Sequence, residues 1–253
     1  GLRRAVARLA QTALSLAVTF LGLLFVTFFI GRIIPIDPVL ATLGDRATQE
    51  QYEAARQALG LDRPLLEQFA IYVGDVLRGD FGMSLLTARP VIEDIANVFP
   101  ATLELATLAT LIGVLIGVPA GVTAAVNQGR WPDQAIRFVG LLGYSMPVFW
   151  LGLIALLVFY GNLGWVRGPG RLDVAYELDF EFDVTHVTGS ILIDSALSGA
   201  WDVFFNALGH IILPAGVLGY FSLAYIARMT RSFMLEQLSQ EYVTTARVKG
   251  VPE

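Results

Sequence analysis

With 253 residues, 55% of them hydrophobic and only 15% charged, the chain is too apolar for an ordinary water-soluble domain and reads as an integral membrane protein. The lack of cysteine excludes disulfides and thiolate metal sites. A net charge of −5 gives no reason to expect a nucleic-acid partner, and its distribution along the chain says more than its sum.

Residues 9–34 are a nearly unbroken apolar run flanked by Arg3, Arg4 and Arg8 on one side and Arg32 on the other. The run is longer than a signal-peptide core and no small-residue cleavage pattern follows it. Residues 1–34 are therefore expected to be a cytoplasmic N-terminal tail and a first membrane helix. Residues 35–100 form a polar insertion with ten acids against five arginines, assigned outside. Within it Thr48 and Gln51 form a capping-box pattern opening a helix that closes at Gly60, and Pro64 opens another that ends near Gly79. Leu65, Phe69, Tyr72, Val73 and Val76 give this second helix one apolar face. A third short helix, over 90–98, leads back to the membrane through Pro100.

Residues 101–126 read as the second span. Gly113, Gly117 and Gly121 recur every four residues and form a flat ridge against which another helix packs closely. Pro119 frees a backbone carbonyl and is expected to kink the helix. Glu104, placed in the first turn, is read as a carboxylate stabilised by the helix dipole in preference to a substrate-binding group. Residues 127–137, with Arg130, Arg137 and an interfacial Trp131, form a cytoplasmic loop. The third span covers 138–160. Its Ser145, Met146 and Pro147 break the helical ladder at mid-depth, which is tolerated only under cover of protein or a water-filled cavity. A Ser145 that merely bonds the preceding turn is the equal alternative.

Residues 161–205 are a second outside segment. From 176 to 184 the chain alternates, with Glu177, Asp179, Glu181 and Asp183 on one face and Leu178, Phe180, Phe182 and Val184 on the other. Period two predicts a half-buried strand, one arm of a short β-hairpin. The carboxylate row is read as an edge guard rather than a cation site. Residues 206–228 are the fourth span, broken by Pro214 and bearing His210, a functional candidate by its place in a membrane segment; a hydrogen-bonded interfacial histidine is the alternative. Pro119, Ser145, Met146, Pro147, His210 and Pro214 are thus the candidates for a translocation path and its hinges.

Residues 229–253 are expected on the cytoplasmic face. A short helix here carries Glu241, Tyr242, Thr245, Ala246, Arg247 and Lys249 and stops at Gly250, a residue suited to the left-handed end of a helix. Small Thr244, Thr245 and Ala246 permit close approach to a groove in a soluble partner, and a surface helix lying under the bilayer is the alternative. Basic residues agree with this topology. Inside segments carry nine against four acids, and the two outside segments carry seven against seventeen.

Five stretches then resemble, in order, the inner-membrane permease subunits of dipeptide and oligopeptide ABC importers of the peptide/nickel type, specifically the B-type half of the pair. Ile34-Pro35-Ile36-Asp37-Pro38-Val39 is similar to APGDPV with Ile36 in place of the usual glycine. Leu59-Gly60-Leu61-Asp62-Arg63-Pro64-Leu65 is similar to LGLDxPL, and Gly79-Asp80-Phe81-Gly82-Met83-Ser84-Leu85 to GDLGxSL. Residues 99–106 resemble LPATLELA, and 145–152 resemble SxPxFWLG. Residues 241–250 resemble the coupling segment DYVRTARAKG, with Thr244 and Thr245 where the general importer motif has Glu and Ala.

The resemblance implies an all-α polytopic membrane protein, a type I ABC importer transmembrane domain with a small extracytoplasmic helical insertion. It implies a multi-pass subunit of the cell inner membrane, non-catalytic and without a cofactor or metal of its own, ATP and Mg being held by partner ATPases. The implied partners are a second homologous permease, two ABC ATPase subunits, a periplasmic or lipid-anchored substrate-binding protein, and membrane lipid. Glu241, Tyr242, Thr245, Ala246, Arg247, Lys249 and Gly250 would seat in the ATPase. The family continues past that glycine for two further membrane helices, so these are expected beyond Glu253. Di- or oligopeptides are the implied cargo, with a nickel chelate, glutathione or an oligosaccharide as alternatives. An intramembrane serine protease built on Ser145 and His210 is the competitor from another class.

Overall fold

The computed structural model describes residues 2–33, 39–40, 48–58, 60–84 and 86–250; the Ile34–Pro38 part of the first motif, Leu59 and Leu85 of the next two, and the side chains of Ala246 and Arg247 lie outside the described residues. Among the described residues every extended element is a helix, and the sole strand-like pairing is an isolated antiparallel bridge between Met83 and Pro90. The chain divides into two units, residues 1–97 and 98–253.

In the first unit α1 (Leu2–Ile33) is a single apolar helix. Its Thr12, Thr19 and Thr27 hydroxyls donate back to the carbonyls of Arg8, Ser15 and Leu23, which pairs these three polar groups along an apolar surface. Two short helices follow, α2 (Gln49–Ala58) and α3 (Leu65–Leu77). At the start of α2 the Thr48 N–H donates to Gln51 Oε1 at 3.0 Å and the Gln51 N–H to Thr48 Oγ1 at 3.3 Å, a reciprocal cap. The apolar face of α3 meets α1 through rings: Phe28 lies 5.5 Å from Phe69 and 5.7 Å from Tyr72 between centroids, and Phe25 lies 5.6 Å from Phe69.

Helix α4 (Val91–Val126) leads into the second unit, which continues with α5 (Trp131–Ser145), α6 (Val148–Ala155), α7 (Val174–Asp183), α8 (Ile191–Ser198), α9 (Trp201–Leu238) and α10 (Glu241–Val248). After Ala155, α6 widens into π-helical turns over Leu156–Asn162. α1, α4 and α9 are long and apolar enough to cross a membrane, and α5 with α6 would make a fourth span only as a pair bent by 103°. At 1.5 Å per residue α4 and α9 are about 54 and 57 Å long, well beyond the ~30 Å hydrocarbon core, so their ends stand outside it.

Four expectations are corrected. The separate helix over 90–98 and the second span are one helix, α4, running through Pro100 and Pro119. Pro214 likewise leaves α9 unbroken. A proline removes one hydrogen bond to the carbonyl four residues back, and packed neighbours hold the rest of the ladder. Glu104 is consequently deep inside α4 rather than in its first turn. The expected strand over 176–184 is helix α7. Residues two apart on a helix differ by about 200°, so the alternating apolar residues fall on two opposite edges. Tyr176 and Phe180 turn inward onto a buried cluster of Leu172, Ile191, Val203 and Ala207, while Val174, Leu178 and Phe182 face out.

α9 is the centre of the second unit. On one face it meets the α4 glycines: a Cβ at Gly113 would sit 2.5 Å from Ser222 Cβ, at Gly117 3.1 Å from Ile226 Cβ, and at Gly121 2.6 Å from Thr230 Cβ. Gly219 replies from α9, where a Cβ would reach Ile112 Cγ2 at 2.8 Å. Backbones this close need small residues at the crossing. On a second face α9 meets α5, with the Tyr220 hydroxyl donating to the Val139 carbonyl at 2.6 Å.

Candidate functional site

The two ends of α9 carry the polar constructions of the second unit. At one end, residues 127–130 turn the chain from α4 into α5, and Asp133 in the first turn of α5 is buried. Its carboxylate accepts Arg231 Nε at 2.6 Å and Arg231 Nη2 at 2.8 Å, a bidentate pair, together with the Gly129 N–H at 2.9 Å. A single side chain thereby fixes the turn, the start of α5 and the last third of α9. Above it α5 and α9 line a groove of about 730 Å³, with Arg137, Phe138 and Tyr144 on one wall and Ala227, Arg228 and Ser232 on the other. The Arg228 guanidinium stacks over the Tyr144 ring at 4.5 Å.

Just past this end α9 stops at Leu238 and α10 begins after two intervening residues, with Glu241 in its first turn where an acid suits the helix dipole. The Tyr242 hydroxyl reaches back to Gln237 Oε1 at 3.2 Å, and Thr245 Oγ1 donates to the Glu241 carbonyl at 2.8 Å. The Lys249 N–H closes on Thr245, and Gly250 turns the chain at φ +75°, a left-handed conformation costly for a residue with a Cβ. Tyr242 and Val248 remain exposed. A helix of eight residues is too short to hold itself in water, so α10 depends on its joint to α9 and on whatever covers it.

At the opposite end of α9 the segment before α7 is pinned down. The Asp173 N–H donates to Asn206 Oδ1 at 3.0 Å and Asn206 Nδ2 donates to Asp173 Oδ2 at 2.8 Å. His210, buried, places Nδ1 2.8 Å from the Gly168 carbonyl and Nε2 3.2 Å from Asp173 Oδ1. Arg167 pairs with Asp173 as well. The Asn206 amide first, then Arg167 and His210, outweigh desolvation and hold the Asp173 carboxyl below the ordinary range. A second latch joins α8 to α4: Glu104 accepts the Ser190 hydroxyl at 2.6 Å and the Leu192 N–H at 2.9 Å, and Arg171 Nη2 donates to its other oxygen at 3.2 Å. Glu104 thus sits at a helix dipole, that of α8 rather than its own. Burial would raise the Asp194 carboxyl, but the Thr188 N–H and hydroxyl and the Gly189 N–H outweigh it and hold that group low.

The candidate path residues fall in three places. His210 and Pro214 border a cavity of about 150 Å³ beside Glu104 and Arg171. Met146 is extended and Pro147 caps α6, forming the corner between α5 and α6, where Ser145 Oγ donates to the Leu141 carbonyl at 2.8 Å. Pro119 lies on α4 between Gly117 and Gly121. Ser145 and His210 are each engaged elsewhere, and among the described residues no hydrogen bond joins them. Asp133, Asn206 and Asp173 are the polar residues that spacing alone did not single out. Asp133 had one available signal, a lone acid opening a helix in an otherwise basic turn.

Comparison with known proteins adds to this geometry. Residues 117–253 match the family described as "Binding-protein-dependent transport system inner membrane component", and residues 5–106 match its N-terminal companion, "Binding-prot-dependent transport system membrane comp, N-term". The "Probable D,D-dipeptide transport system permease protein DdpB" of Escherichia coli is 47% identical over 244 residues, 96% of this chain and 70% of that protein. The "Di/tripeptide transport system permease protein DppB" of Pseudomonas aeruginosa is 46% identical over 234 residues, 92% of this chain and 68% of its own length. The "Dipeptide transport system permease protein DppB" of Escherichia coli is 41% identical over 236 residues, again 92% and 68%.

Proposed function

Because the chain belongs to the family of binding-protein-dependent transport system inner membrane components, we propose that it forms half of the membrane pathway of an ATP-driven importer for di- or oligopeptides, the cargo class named for its relatives. It pairs with a second, homologous permease. Two ATPase subunits bind the face that carries α10, and a soluble receptor delivers the peptide to the opposite face. The chain itself performs no chemistry, ATP and its metal being held by the ATPases.

The observation that carries this reading is α10 itself, a short exposed helix joined to the end of a transmembrane helix that is clamped to its neighbour by Asp133 and Arg231. Glu241, Tyr242, Thr245, Ala246, Arg247, Lys249 and Gly250 form the contact with the ATPase, whose closure pushes on α9 through this joint. The N-terminus and the Arg231 end of α9 then lie in the cytoplasm, and α7 and α8 lie outside. Small rotations at the Met146–Pro147 corner, with Pro119 and Pro214 as softer points in continuous helices, let the pathway open to one side at a time.

The test uses the complete transporter in proteoliposomes. Gly250→Glu, which forces a side chain into the left-handed turn, and Arg247→Glu are each expected to leave the chain in the membrane. Each should either prevent ATPase assembly or lower peptide uptake per ATP hydrolysed by at least about tenfold. Normal assembly and normal uptake in both variants would overturn the role of α10.

A further inference from the structure

We propose that α7 is the element on which the soluble receptor lands, its outer edge of Val174, Leu178 and Phe182 entering an apolar groove rimmed by lysine or arginine. The inference deepens the permease reading and rests on it.

Three observations on α7 carry it. First, Val174, Leu178 and Phe182 recur every fourth residue on one edge and are 79%, 64% and 81% exposed. A stripe of this kind, with an aromatic at one end, is the form in which a helix enters a groove. Second, the flanks are charged with a single sign. At 3.6 residues per turn, Glu177 and Glu181 border one side of the stripe and Asp179 and Asp183 the other. Among the described residues none of the four makes an ion pair within the chain. An apolar edge between two unneutralised carboxylate rows calls for a cationic rim around an apolar groove. The surface of an anionic bilayer repels such a helix instead.

Third, α7 is mounted rigidly. Its inner edge, Tyr176 and Phe180, packs on Val203 and Ala207 of α9, and Asp173 at its start is held by Asn206, Arg167 and His210. A load placed on the outer edge is therefore transmitted to α9, the same helix that ends at α10. The outer row of acids also favours fast, salt-sensitive encounter with a basic partner.

The measurement is the affinity of the transporter's own soluble receptor for the complete complex in nanodiscs, at about 50 mM and about 500 mM salt. Leu178→Asp combined with Phe182→Asp is expected to weaken binding by roughly tenfold or more, as removal of a central anchor does. Glu177→Lys with Glu181→Lys, at exposed positions without an ion-pair partner among the described residues, is expected to lower the association rate and flatten its salt dependence. Both variants binding within about twofold of a binding-competent parent would overturn the assignment of α7 alone. A parent complex that binds no receptor would overturn the permease reading with it. Quenching of a Phe182→Trp fluorophore by brominated lipid would likewise overturn the assignment, in favour of membrane contact.

Discussion

Asp133 shows how much one residue fixes. A carboxylate at 1% exposure gains nothing from water and depends wholly on Arg231 and the Gly129 N–H. Asp133→Asn leaves the guanidinium facing an amide, and is expected to cost on the order of 3 kcal/mol and lower the thermal unfolding midpoint of the purified complex. Asp133→Asn combined with Arg231→Met should recover part of that loss, because the uncompensated buried charge is gone. At the other end of α9, Asp173 and Asp194 have carboxyls held low by their partners. A folded-state value below the unfolded one means the stabilisation is complete above the ordinary 3.8 and fades as pH falls through the lowered value. Hydrogen exchange in residues 167–198, corrected for intrinsic rate, should accordingly be flat between about pH 7 and pH 5 and rise only under stronger acid. An Asp173→Asn variant should exchange faster already at neutral pH. Glu104 marks where the sequence was legible only in part. Its preference for a helix dipole could be read from chemistry, but that the dipole belongs to α8 depends on a contact across 88 positions that no local pattern reveals.

Among the elements, the packing ridge of α4 was the most legible, since glycine at every fourth position in an apolar run has few other uses. The structure adds which glycines bear the contact and how closely. Gly113→Ala and Gly121→Ala place a methyl 2.5 to 2.6 Å from side-chain carbons of α9 and should each destabilise by about 1–3 kcal/mol, whereas Gly140→Ala, with no heavy atom within 4 Å, should be neutral in the same thermal assay. α7 was misread for a physical reason. Alternation marks a strand only if one of its two faces is buried; in α7 the apolar residues divide between a buried edge and an exposed one, a pattern that period two cannot distinguish from a half-buried strand. The proline positions were legible as weak points and not as breaks. Pro100, Pro119 and Pro214 sit in continuous helices, and a corner forms only where Met146 is extended ahead of Pro147.

For the molecule as a whole, the apolar spans and the polar tail were visible because bilayer thickness and charge asymmetry act on long stretches, where single-residue errors average out. What could not be seen was that one helix, α9, gathers the contacts of α4, α5, α7 and α8 and leads directly to α10. The Asp133–Arg231 clamp also has a consequence for biosynthesis. The two residues are 98 positions apart, so at roughly 5–20 residues per second the ribosome leaves the acid without its cation for about 5–20 s after it emerges. During that interval α5 can be threaded into the bilayer but not locked there. The arrival of α9 sets the moment at which the inserted chain becomes a fixed structure, and quality-control proteases have until then to remove it.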